Sequence, residues 1–255
     1  MSWVTGWTKD ATLPWTTGFI VGRGVTPPFP NGLVSRVQEF SITIGSGATS
    51  NTATITAVDP TRSVLQFNGQ NSNNITALAP NNAFGYAVLT NGTTVTATRN
   101  DGTLSTLIVY GTITEFVVGT VASIQTGTIV LGSGVTSNTA TISAVDTNNS
   151  FPIYGGVLTT TAGAVSARTV CTAIDLTNAT TITAIRSLGT DSTTVAYTVL
   201  NLAPGIIKNI QKVAMTSTSA GTQDDSTITA VSLANTIVFD NGMTTGVVAM
   251  RDSNM

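Results

Sequence analysis

An acidic pair, a lone thiol and a glycine-flanked arginine are the residues from which a reactive or ligand-binding centre would have to be assembled. Asp224-Asp225, in "GTQDDST", is the only adjacent acidic pair. A calcium loop needs several oxygen ligands spaced as in D-x-D-x-D, so the pair reads as a solvated turn. Cys171, in "RTVCTAI", is the single cysteine, which excludes an intrachain disulfide and a thiolate metal cluster within one chain. Its apolar neighbours predict a buried structural thiol. Gly22-Arg23-Gly24 lacks the strand-to-helix context of a nucleotide loop. The chain has no histidine, and with it go the commonest general base, the usual metal ligand and the partner of a nucleophilic serine or cysteine. Glycosidases can work with two carboxylates alone, but no pair of carboxylates stands out here. The expectation is a protein that is not an enzyme and that uses no cofactor and no metal.

Two other groups of side chains are candidates for structural or interface roles. Asp59 and Arg99 recur as Asp146 and Arg186 at the same separation. Asp after a strand caps a turn and Arg at a strand end sits in water, which would give each an independent local role. The alternative is a structural salt bridge tying two strand ends together. The second group lies in the first 35 residues, which hold all three tryptophans, Trp3, Trp7 and Trp15, together with Phe19, Phe29 and the proline-rich "TPPFPNG". Proline enforces extended or turn geometry, so this segment is expected to be an arm that could reach roughly 100 Å at about 3.3 Å per residue. Its aromatic residues are candidate interface anchors. They would either dock the arm onto another subunit or fold back to complete the first unit's core.

The elements that carry these residues come in copies. "GSGATSNTATITAVD", from Gly45 to Asp59, matches "GSGVTSNTATISAVD", from Gly132 to Asp146, at thirteen of fifteen positions. The same offset of 87 takes "LTNGTTVTATR" (Leu89 to Arg99) onto "LTNATTITAIR" (Leu176 to Arg186) and Tyr110 onto Tyr197. One fold used twice follows, with units at 36–118 and 119–204 after an arm at 1–35. A weaker third copy, 205–255, carries "STITAV" and "NTIVFDNG" but no counterpart of "TTVTATRN" or "TLIVYGTITEF". It is expected to lack its last two strands and to have that edge covered by a neighbouring subunit, with a closed trimer preferred, or else by residues 1–35 of the same chain folding back.

Within a unit the pattern is strand after strand. In "TATITAV", Ala53, Ile55 and Ala57 take one face and the threonines the other. Asn91-Gly92 signals a hairpin, whereas Asn178-Ala179 in the second copy predicts a longer or different turn, because Ala is poor at positive φ. "LIVYGTITEF", apolar on both faces, predicts a strand covered by a second sheet or a neighbouring chain. The fold class is all-β: tandem β-sandwich repeats of about 87 residues, Ig-like or jelly-roll-like, behind an extended N-terminal arm.

Composition agrees with that class. Charged residues are 9% of the chain, the net charge is −2, and no basic run offers a surface to nucleic acid. No stretch is long and apolar enough for a transmembrane helix, and "MSWVTGWTKD" lacks the features of a secretory signal. Neither nucleic acid nor membrane is expected as a partner.

The tandem Thr/Ala/Ile-rich units carrying "TATITAVD", followed by "LTNGTTVTATR" and a strand ending "TEF", resemble repeats in virion structural proteins of tailed bacteriophages. The resemblance spans residues 36–204 well and 205–250 loosely. It implies a non-enzymatic protein of the virion surface, such as a capsid decoration protein, that assembles with itself as a homotrimer or higher symmetric form and contacts the major capsid protein. A receptor-binding or glycan-binding fibre component, or a bacterial adhesin, is the alternative.

Overall fold

The computed structural model describes residues 32–73, 80–103, 105–161, 167–212, 227–230 and 241–242. Its fold is all-β, with twelve strands among the described residues. The first six are β1 (Val34–Ile44), β2 (Ser50–Thr54), β3 (Ser63–Ser72), β4 (Gly85–Asn91), β5 (Thr94–Arg99) and β6 (Leu107–Phe116). The next six are β7 (Val121–Leu131), β8 (Ser137–Thr141), β9 (Ser150–Thr159), β10 (Thr172–Asn178), β11 (Thr181–Arg186) and β12 (Thr193–Leu202). Two four-residue helical turns, α1 (Pro80–Ala83) and α2 (Ala167–Val170), and a 3-10 turn at Pro60–Arg62 complete the described elements.

Both sets of six pair in the same order. β1-β6-β3 lies against β2-β5-β4, and β7-β12-β9 lies against β10-β11-β8. Period-two patterning explains the layers. In β5 the side chains of Val95, Ala97 and Arg99 are buried while the threonines between them stand farther out. In β11 the same face carries Ile182, Ala184 and Arg186. Phe40, Ile42, Leu65, Val109 and Ile113 close on Ala87, Val95 and Ala97 to form the first core. Ile129, Leu131, Val195 and Val199 close on Ile174, Leu176, Ile182 and Ala184 to form the second. On the outer faces, hydroxyl pairs Thr90–Thr96 and Thr177–Thr183 cross each hairpin at 2.5 Å. Threonine therefore contributes a β-branched stem to the pleat and a partner to its neighbour.

Three local expectations need correction. The strand "TATITAV" ends early: β2 stops at Thr54, Ile55 and Val58 are both buried, and Ala57 is exposed. The chain leaves the ladder there because the Gln38 side-chain amide takes both the carbonyl and the N–H of Thr56. The second hairpin keeps the turn of the first. Asn91 Oδ1 accepts from the N–H and hydroxyl of Thr93 at 2.9 and 3.1 Å, and Asn178 accepts from Thr180 at the same distances. No described non-glycine residue has positive φ, and Gly92 is not among the glycines that do, so Ala179 meets no backbone penalty.

The third correction concerns Tyr110 and Tyr197, which are not equivalent. Tyr110 pairs with Ser41, whereas the counterpart of Ser41, Thr128, pairs with Ala196. The β11–β12 connection is one residue shorter than β5–β6, which shifts the offset to 86. Tyr197 therefore takes the place of Gly111. In the first unit Phe40 lies opposite Gly111, and in the second Gly127 lies opposite Tyr197. The ring and the glycine have exchanged strands.

Candidate functional site

Asp59, Arg99, Asp146 and Arg186 are given separate tasks by the structure, and neither Asp meets the Arg proposed as its partner. Asp59 Oδ1 accepts from the N–H and hydroxyl of Thr61 at 2.9 and 2.7 Å, and Oδ2 meets Arg62 Nε at 3.2 Å. These bonds, that from the Thr61 hydroxyl foremost, hold its carboxyl below the ordinary range. Asp146 likewise accepts from Asn148 N–H at 2.9 Å and Asn149 Nδ2 at 2.6 Å. Each closes the turn that follows the Thr-rich strand.

Arg99 and Arg186 point inward at the end of each sandwich. Arg99 donates to the carbonyls of Ala48 (3.0 Å), Asn82 (3.1 Å) and Gly45 (2.8 Å) and to the Ser105 hydroxyl (3.2 Å). Arg186 donates to the carbonyls of Val135 (2.9 Å), Leu131 (3.1 Å) and Gly132 (2.7 Å) and to the Thr193 hydroxyl (3.0 Å). Burial lowers the pKa of both guanidiniums, and the opposing charges are Asp101 and Asp191. Asp101 is itself kept acidic, chiefly by the Thr103 N–H. A fork of five donors suits several carbonyls converging from two loops, and no other side chain offers it.

The partly buried ion pair of the first unit escapes sequence reading. Glu115 Oε1 meets Arg62 Nη2 at 2.7 Å and accepts the Asp59 N–H at 3.0 Å. Arg62 also donates to the Phe116 carbonyl. In the second unit Asn149 and Asn201 hold the equivalent places, and Asn201 works as a neutral amide between Ser150 Oγ at 3.0 Å and Ser123 Oγ at 3.4 Å.

The arrangement with the clearest relational geometry is the seam between units. Tyr86 of β4 pairs antiparallel with Gly156 of β9, which joins β2-β5-β4 to β9-β12-β7 as one six-stranded sheet. Gly156 sits at φ 103° in a bulge of β9 opposite Ala196. A Cβ there would stand 2.7 Å from the Gly85 carbonyl oxygen, so only glycine lets the two backbones meet. The step recurs one unit later: Ala173 of β10 bridges Gly242, at φ 94°, and Ile174 N–H donates to the Asn241 carbonyl at 2.9 Å. At the other end of the first contact, Val64 and Phe116 pack with Ile153, Leu200 and Leu202. That explains why the ends of β6 and β12 are buried on both faces.

A glutamine clamp marks the same repetition. Gln38 with Thr56, Gln125 with Ser143 and Gln211 with Thr229 each exchange an amide N–H for a carbonyl and a carboxamide oxygen for an N–H, across 18 residues. The signal was present in the sequence as Gln and Gly recurring at the repeat spacing, beneath the more conspicuous threonine phrases.

Cys171 is half-buried just before β10, and burial raises its thiol pKa, which disfavours the nucleophilic thiolate. A groove of about 640 Å³ runs between the second unit and residues 208–212, lined by Thr147, Asn148, Thr177, Asn178, Lys208 and Lys212. Lys212 Nζ meets Asp175 at 2.8 Å at its rim. Among the described residues no three His, Cys, Asp or Glu side chains gather as a metal would require, and no helix is long and apolar enough to cross a membrane. Trp3, Trp7, Trp15, Phe19, Phe29, Asp224, Asp225 and most of the third copy, including its expected open edge, lie outside the described residues.

Comparison with protein-family models finds none that matches the chain, and neither the curated proteins nor the solved structures contain a match.

Proposed function

We propose that the protein is a non-enzymatic structural component of a bacteriophage virion, a capsid decoration protein present in symmetric copies on the particle surface. The observation that carries this reading is the seam at Gly156, by which the first unit's sheet is continued by the second, with the single bridge from Ala173 to Gly242 repeating the same glycine pairing. A device that adds unit to unit through backbone pairing builds extended surface, and the low charge and threonine-covered faces suit a component that packs against neighbours. The resemblance of the repeats to virion proteins of tailed phages supports the same reading. Its partners would be further copies of itself, in a trimer or higher closed form, and the major capsid protein. Imaging of purified particles carrying a tagged copy tests it: label distributed over the capsid with icosahedral regularity is expected, and particles without label would overturn it.

The groove beside Lys208 and Lys212 favours a second reading, a glycan-binding fibre component, because amides, hydroxyls and ammonium groups are the donors that sugar hydroxyls and acidic sugars use. A glycan array probed with the purified protein separates the two. Saturable binding that Lys208→Ala abolishes would favour the fibre.

A further inference from the structure

The gap between the first and second units and the gap between the second unit and residues 208–212 are the same cleft. The glutamine clamps at Gln38, Gln125 and Gln211 fix which residues of one gap correspond to those of the next. Pro60, Leu89, Ile124 and Thr126 line the first gap, and their counterparts Thr147, Leu176, Ile210 and Lys212 line the second. Volume separates the two. The first encloses about 130 Å³ and the second about 640 Å³, and ligand sites commonly measure about 300–1,000 Å³. The first cleft shows what a seam needs in order to join two units, so departures from it in the second call for another cause.

The apolar part of the lining is kept, since Leu176 and Ile210 stand where the first cleft has Leu89 and Ile124. The polar part is new. Thr147 replaces Pro60, Asn148 replaces Thr61, Asn209 replaces Ser123 and Lys208 replaces Ala122. Val88 and Thr126 of the first cleft give way to Asp175 and Lys212, which form a 2.8 Å ion pair, and the Lys212 ammonium also donates to the Leu176 carbonyl. That pair neutralises itself. Asp146, next to Thr147 in the chain, accepts from the Asn148 N–H and from Asn149 Nδ2. Lys208 forms no ion pair among the described residues. Asn178, whose Oδ1 is taken by Thr180, keeps its Nδ2 as a donor.

We propose that this second cleft binds an acidic oligosaccharide, with the Lys208 ammonium on a sugar carboxylate and the carboxamides of Asn148, Asn178 and Asn209 on sugar hydroxyls. The assignment rests on the glycan-binding reading and names the class of glycan. An unpaired cation among amide donors offers a carboxylate a charge-assisted hydrogen bond that a neutral sugar cannot accept with equal strength. No aromatic ring lines the cleft among the described residues, so the flat face on which a neutral sugar ring stacks is missing. Charge therefore selects the ligand.

The test is an array of oligosaccharides bearing uronic or sialic acids, each printed beside its methyl ester and probed with the full chain. Binding to free acids and not to their esters is expected. Equal binding to both overturns the acidic class and leaves the glycan reading in place, whereas binding to no saccharide overturns both. Titration with the tightest acid then locates the site. Lys208→Gln should weaken that acid about tenfold, the worth of one charge-assisted bond. Asp175→Asn, which frees the Lys212 ammonium, should tighten it severalfold. Both residues are exposed, so either variant keeps the fold. Affinities that do not move in these directions overturn the proposal.

Discussion

The most telling side chains are the charged groups that hold backbone in place. Arg99 and Arg186 sit at the end of an inward-facing row, where a hydrophobic residue would be expected, and spend their donors on loop carbonyls. Arg99→Lys should therefore behave as a damaging change. One ammonium cannot span the carbonyls of Gly45, Ala48 and Asn82, and each lost charged hydrogen bond is worth about 1.5–3 kcal/mol. A loss near 3 kcal/mol in the urea unfolding free energy is the expected result, and a loss below about 0.5 kcal/mol would remove the guanidinium from its role as a tie. The Arg62–Glu115 pair makes a sharper case, because the second unit displays a neutral solution at the same places. Arg62→Ala leaves the Glu115 carboxylate, 6% exposed, without its cation, at a cost of about 3 kcal/mol. Arg62→Asn combined with Glu115→Asn, which copies Asn149 and Asn201, should recover most of that loss. A double variant no more stable than Arg62→Ala would show that the two units are not interchangeable at this position.

Among the elements, what the sequence made legible was periodicity and repetition. The alternation in "TTVTATR" gives β5 and its buried face directly, and the duplicated phrases give two matching sets of strands. What it hid were features that depend on which residue lies across a ladder. Reading Tyr110 as the counterpart of Tyr197 came from counting along the chain, whereas pairing registers Tyr197 against Gly127 and Gly111 against Phe40. The same limit applied to Arg99, whose carbonyl partners come from other loops, and to the turn at Ala179, where a side-chain cap replaces the backbone geometry that a glycine suggests. The ring-over-glycine exchange carries its own prediction. A Cβ on Gly111 would stand 2.5 Å from the Phe40 ring and 2.7 Å from the Gln66 carbonyl oxygen. Gly111→Ala should destabilise the first unit by about 1–3 kcal/mol through overpacking. Adding Phe40→Leu should relieve the clash with the ring but not that with the backbone, so thermal unfolding should show partial recovery. Full recovery would mean that β3 moves aside freely.

In the molecule as a whole, two sandwiches that share a sheet and an apolar cluster are expected to unfold together. Two contacts compete: the backbone seam at Gly156, with one bridge to Tyr86, and the apolar cluster of Val64, Phe116, Ile153, Leu200 and Leu202. Full burial of a large apolar side chain is worth about 1.5–3 kcal/mol, so five of them outweigh a single bridge even after allowance for partial burial in the unfolded chain. The cluster should therefore carry the coupling, and the seam should set the orientation. Phe116→Ala, at about 3–5 kcal/mol, is expected to split one calorimetric transition into two, with the first unit melting first because the lost ring belongs to β6. Gly156→Val forces a branched residue to φ 103° and against the Gly85 carbonyl. It should lower the midpoint by a strain of about 1–3 kcal/mol and leave a single transition. The reverse ranking, with Gly156→Val splitting the transition and Phe116→Ala merely lowering it, would show that sheet continuity is what makes the units cooperative. A chain that relays stability through its backbone could then pass it on at the next bridge, from Ala173 to Gly242.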